Sequence, residues 1–128
     1  MHTPVTAFYG GLLALFFFYL TILVINGRFS KKIALGDDGD KHFLQLIRSH
    51  GNFAEYTPLI LILLLVAELN ATQPLWLHIM GSSLLLGRIL HSFGLRRHAG
   101  TSWQRISGML LTFVALISGA VLNLLLLY

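Results

Sequence analysis

Arg48-Ser49-His50-Gly51-Asn52-Phe53-Ala54-Glu55-Tyr56-Thr57-Pro58 leads into a long apolar run, Leu59 to Ala67, yet carries an arginine, an amide and a carboxylate. At about 100° per residue, Arg48, Asn52 and Glu55 fall within roughly 60° of one another on a helix. A charge at bilayer depth costs about 2.5–3.5 kcal/mol on insertion scales, so such a stripe is expected to face protein, water or a ligand. The flanking chain determines which kind of protein carries it.

Four uncharged or nearly uncharged stretches divide the chain. Val5 to Ile25 holds 21 residues without a charge. At 1.5 Å per residue they span about 32 Å, enough for the hydrocarbon core. The run has no basic leader and no Ala-x-Ala-like cleavage site, so it reads as a retained span that Asn26-Gly27 ends. A polar linker from Arg28 to Lys41 follows, with the turn Gly36-Asp37-Asp38-Gly39-Asp40. That turn lacks the ligand spacing and distal glutamate of an EF-hand and reads as a solvated loop. The second helix is expected from Lys41 or His42 to about Asn70, with a kink near Pro58. Ala71 to Pro74 make a tight connection, Leu75 to Phe93 a third span, and Leu95 to Arg105 a short basic loop. Ile106 to Tyr128 form the fourth span. One domain, residues 1–128, is therefore expected: an all-α membrane protein, a four-transmembrane-helix up-down bundle.

With 55% hydrophobic and only 11% charged residues, a soluble domain is excluded. The formal net charge is +4, and all nine lysines and arginines lie between Arg28 and Arg48 or between Arg88 and Arg105. Charges in the gaps between apolar runs reflect topology and not a nucleic-acid surface; the positive-inside rule then puts both termini on the non-cytoplasmic side. There is no cysteine, so there are no disulfides and no thiolate ligands. None of the histidines forms His-Glu-x-x-His, and no metal site is expected.

Arg88 and His91 lie one turn apart, at the expected depth of Glu55. A structural ion pair, Glu55 with Arg88, is one reading. The other counts Arg28, Arg48, Asn52, Glu55, Arg88, His91 and Arg105 at one level, a cationic excess that calls for an anionic partner.

Arg48-x-x-x-Asn52-x-x-Glu55-Tyr56-x-Pro58, followed by Gly87-Arg88-x-x-His91, resembles the MAPEG family, the membrane-associated proteins in eicosanoid and glutathione metabolism. The resemblance covers nearly the whole chain and looks nearest to small bacterial members. It implies a homotrimer in the bacterial inner membrane, with glutathione between neighbouring subunits and a lipophilic small molecule or membrane lipid as the other partner. It further implies that Arg28, Arg48, Asn52, Glu55, Tyr56, Arg88 and His91 bind glutathione. Arg105 would be the catalytic arginine that activates the thiol. Leu95 and Met109 stand where many catalytic members carry tyrosines. The implied activity is a microsomal-type glutathione transferase or peroxidase. The alternative is a non-catalytic lipid-binding or scaffold protein of the same fold.

Overall fold

Prolines open two of the four helices, at a position where the missing N–H would have no helical partner anyway. In the computed structural model, which describes residues 2–127, these are α1 (Pro4–Lys31) and α3 (Pro74–Arg97). The other two, α2 (Lys41–Leu69) and α4 (Trp103–Leu125), begin behind capping side chains. Asp40 accepts from the Phe43 amide at 2.9 Å, and Ser102 accepts from the Arg105 amide at 3.2 Å. Each cap satisfies an amide left over at a helix start. The helices α1, α2 and α4 are long and apolar enough to cross a membrane. The fold is an all-α membrane bundle.

Three boundaries differ from the sequence expectation. Asn26-Gly27 does not end α1, which runs on to Lys31. Gly27 is instead a contact point: a Cβ there would lie 2.6 Å from the Phe43 ring, so glycine lets α1 pass close to α2. The helix stops at Lys32, whose left-handed φ of 56° lets the Ile33 amide reach back to the Arg28 carbonyl at 3.1 Å. Helix α3 likewise extends past Phe93 to Arg97, carrying two arginines in its last turn, where they face the negative end of the helix dipole. The third loop therefore shrinks to residues 98–102. Helix α2 passes through Pro58 without a break. Tyr128, the expected end of the fourth span, lies outside the described residues.

Short connections make neighbouring helices antiparallel, and α2 and α3 form the centre. Among the described residues α1 packs on α2 and α3, α4 packs on α3 and α2, and α1 and α4 do not touch. The common core holds Leu13, Leu20, Ile60, Leu64, Met80 and Leu84. Where helices cross most closely, small residues replace large ones, as expected when packing and not water expulsion drives association. A Cβ on Gly87 would lie 2.8 Å from the Gly108 carbonyl oxygen, and one on Gly108 would lie 2.4 Å from the His91 amide. At the opposite end, Gly81 accommodates the Tyr9 ring.

That opposite end is also stitched by a side chain. The N-cap residue of α1, Thr3, makes no side-chain cap. The carboxylate of Glu68, at the end of α2, accepts from the Val5 and Thr6 amides at 2.8 and 2.7 Å. One helix thus caps another, with the carboxylate at the positive end of the dipole. Nearby, the Tyr9 hydroxyl meets His78 Nδ1 at 3.1 Å.

Candidate functional site

The cap on Asp40 fixes where α2 begins, and its helical period then aligns Lys41, Gln45, Arg48 and Asn52 on one side. Gln45 donates its amide to the Leu95 carbonyl at 2.8 Å, tying this face to the end of α3. Helix α4 starts hard against the same place: a Cβ on Gly94 would lie 2.7 Å from the Arg105 amide. The three elements enclose a cavity of about 470 Å³. Helix α2 contributes Lys41, Arg48 and Asn52, α3 contributes His91 and Leu95, and α4 contributes Arg105. The cavity wall thus carries three permanent cations and no carboxylate.

Arg88 lies directly behind that wall. Among the described residues it is the largest fully buried side chain, 1% exposed. Its Nε and Nη2 donate to Thr112 Oγ1 at 3.0 and 2.7 Å, and Nη1 donates to the Asn52 side-chain oxygen and backbone carbonyl. Nη2 also meets the Met109 sulfur at 3.2 Å, and the guanidinium lies 5.4 Å from the Tyr56 ring centre. All of these partners are neutral. Of the two readings of Arg88, the ion pair with Glu55 is therefore not the one formed: Glu55 pairs with Arg48. The physical reason is the position of Glu55 on the outer surface of α2, where Arg48 reaches it first.

Arg48 and Glu55 are joined by three contacts of 3.1 to 3.2 Å, two turns apart on one helix. Gly51 lies between them, and a Cβ there would lie 2.9 Å from Arg48 Nη1. The glycine clears the path along which the guanidinium crosses the intervening turns. Glu55 thus sits outside the cavity lining, holding one of its cations by the edge.

Of the residues singled out from sequence, Arg48, Asn52, His91 and Arg105 line one cavity. Arg88 and Tyr56 stand behind it. Arg28 lies elsewhere on the chain, where it donates to the Ile33 and Gly36 carbonyls at 3.2 and 3.1 Å and covers the Phe43 ring. Four participants were not singled out: Lys41, Gln45, Thr112 and Gly94. A threonine or glycine in an apolar span carries no signal of its own, whereas Gln45, one turn before Arg48 on the same face, could have been found by helical period.

A family model described as "MAPEG family" matches residues 6–125. The chain is 37% identical over 120 residues to Inner membrane protein YecN of Escherichia coli strain K12, covering 94% of this chain and 90% of that protein. The protein of the same description from Escherichia coli O6:H1 matches with the same identity and coverage.

Proposed function

The chain belongs to the MAPEG family, and on that premise we propose that this integral inner-membrane protein is a glutathione-dependent transferase or peroxidase acting on lipophilic electrophiles. The observation that carries the reading is the cavity itself: about 470 Å³, with Lys41, Arg48 and Arg105 in its wall and no carboxylate. That donor set fits a small tripeptide bearing two carboxylates and a thiol. Arg48 and the Asn52 amide face the carboxylates. Because the Asn52 oxygen is taken by Arg88, its NH₂ group is left to donate. Arg88 and Tyr56 hold the wall from behind, and His91 adds a polar ring to it. Glu55, at the rim, suits an α-amino group. Arg28 does not line this cavity on the same chain and would join such a site from a neighbouring copy, which gives the proposed homotrimer a function. The basic end of the bundle is the cytoplasmic one, with both termini on the other side.

When bound, glutathione supplies a thiol that attacks an electrophile or reduces a hydroperoxide. The chain's contribution is to ionise that thiol. A free thiol has a pKa of about 8.5, so a drop of about two units, or about 2.7 kcal/mol, leaves it mostly ionised at neutral pH. A guanidinium about 4 Å away contributes about 4 kcal/mol at an effective dielectric near 20. Arg105, at the first turn of α4 and in the cavity wall, is the group suited to this, and it stays charged at every relevant pH.

The test is glutathione binding to detergent-purified protein, followed by turnover with an aryl halide. Arg105→Ala is expected to leave affinity within a few-fold and to lower turnover at neutral pH by about one to two decades, the effect of returning the thiol pKa by one to two units. Part of the loss should return as pH rises through about 8.5, where the thiol ionises unaided. A second reading, a non-catalytic lipid-binding or scaffold protein, is favoured by Leu95 in the cavity wall and by Met109 on Arg88. Bound glutathione with no turnover of any electrophile, at any pH, would select it.

A further inference from the structure

The basic end of the bundle carries a second cavity, on the far side of α2 and α3 from the first. It has a volume of about 430 Å³ and lies where α1, α2 and α3 meet. Its lining combines the apolar Leu23, Leu46 and Phe93 with Arg96, Arg97 and His42. Both arginines are laid on aromatic rings. Arg96 lies 5.4 Å from the centre of the Tyr19 ring and donates to the Tyr19 hydroxyl at 3.1 Å; Arg97 lies 4.5 Å from the Phe93 ring. Such stacking holds a guanidinium in place; Arg96 Nε also donates to the Ser92 carbonyl at 3.3 Å, which leaves Nη2 of Arg96 and the edge of Arg97 to bind an oxyanion.

Among the described residues neither arginine has an acidic partner. The chain has five acidic residues. Asp40 pairs with Lys31, Glu55 pairs with Arg48, and Glu68 caps α1. Asp37 accepts from the Gly39 amide, and neither it nor Asp38 forms an ion pair among the described residues. Two fixed cations beside apolar side chains, at the basic end of a bundle with membrane-crossing helices, are complementary to one kind of molecule.

We propose that the crevice between α1, α2 and α3 binds an anionic phospholipid, its phosphodiester on Arg96 and Arg97 and an acyl chain against Leu23 and Leu46. A basic pocket between helices at the membrane surface is a recurring form of lipid headgroup site. The assignment is independent of the glutathione reading, because none of these residues lines the first cavity.

The experiment is native mass spectrometry of the full-length protein in mild detergent, titrated with phosphatidylglycerol or phosphatidylcholine, alongside thermal melts. Phosphatidylglycerol is expected to be retained and to raise Tm, and phosphatidylcholine to do neither. Replacing Arg96 and Arg97 together by glutamine should weaken phosphatidylglycerol retention by about tenfold or more. Arg97→Gln alone, at an exposed helix end, should show part of that loss with the unliganded Tm unchanged. Lys31→Gln with Lys32→Gln removes equal charge outside the crevice and should leave retention intact. An equal loss in the two double variants would mean a diffuse surface potential and would overturn the site. Glycerol phosphate, which has no acyl chain, should not displace the lipid at equal concentration; displacement would assign the arginines to soluble phosphate instead.

Discussion

A guanidinium buried as deeply as that of Arg88 would ordinarily lie against a carboxylate. Here a threonine hydroxyl, an asparagine oxygen and a thioether sulfur hold it. The Thr112 hydroxyl also donates to the Gly108 carbonyl at 2.8 Å, which turns its lone pairs toward the arginine. Thr112→Val keeps the shape and strands two N–H donors, at a cost of about 1–3 kcal/mol. A lower Tm in detergent is expected, largely restored by Thr112→Ser. Glu55→Gln removes only an exposed pair, worth about 0–1 kcal/mol, and should leave Tm nearly unchanged. An equal fall in Tm for Glu55→Gln would mean that Glu55 and not Thr112 balances the buried charge. The face shared by Arg48, Asn52 and Glu55 was legible from helical period alone. Which of them turns inward was not: that depends on Thr112 and Gly51, whose roles exist only once α4 and the two-turn ion pair are in place.

At the scale of elements, two contacts decide where the cavity walls stand. The first is the α3–α4 crossing, where a Cβ on Gly108 meets backbone at 2.4 Å and so cannot be accommodated by a side-chain rotation. Gly108→Ala should cost about 1–3 kcal/mol and lower Tm accordingly. Gly10→Ala, with nothing within 4 Å on this chain, serves as the matched control. The second is the start of α2, where Asp40 caps the helix and meets Lys31 Nζ at 2.6 Å. The Lys31 hydrogen bond foremost, then the Phe43 amide, holds the Asp40 carboxyl below the ordinary aspartate range. A lowered carboxyl pKa stabilises the fold above the unfolded value of about 3.9, and that contribution fades as pH falls through the lowered folded value. The Tm difference between wild type and Asp40→Ala is thus expected to be full above about pH 4 and to shrink below it. A difference unchanged at low pH would leave the charge of Asp40 without a part. The helices themselves were readable as apolar runs between charged gaps. Their ends were not, because Gly27 acts as a point of close approach and Arg96 is held by Tyr19, a residue of another helix.

For the whole molecule, the arrangement leaves α1 and α4 on opposite sides of a central pair. The outer face of α4 exposes Leu110, Phe113, Val114, Ile117 and Val121, and the α1 glycines Gly10 and Gly11 have open space beside them. These surfaces meet lipid or another copy. Under the proposed trimer, cross-linking and native mass spectrometry in mild detergent should give three chains. A clean monomer that still binds glutathione would remove the need for Arg28 from a neighbour and with it the intersubunit site. The four-helix architecture was evident in the spacing of apolar runs. The separation of α1 from α4 was not, since hydropathy reports which segments enter a membrane and says nothing of which neighbours they choose.

The Glu68 cap also bears on the order in which the chain is made. The amides of Val5 and Thr6 wait for a carboxylate that lies 63 and 62 residues downstream. On the ribosome, α1 is complete and apolar enough to enter a bilayer long before its acceptor has been synthesised. Its first turn is therefore left to water or headgroups until α2 has crossed and delivered Glu68. The beginning of α1 is thus secured only by a helix made after it.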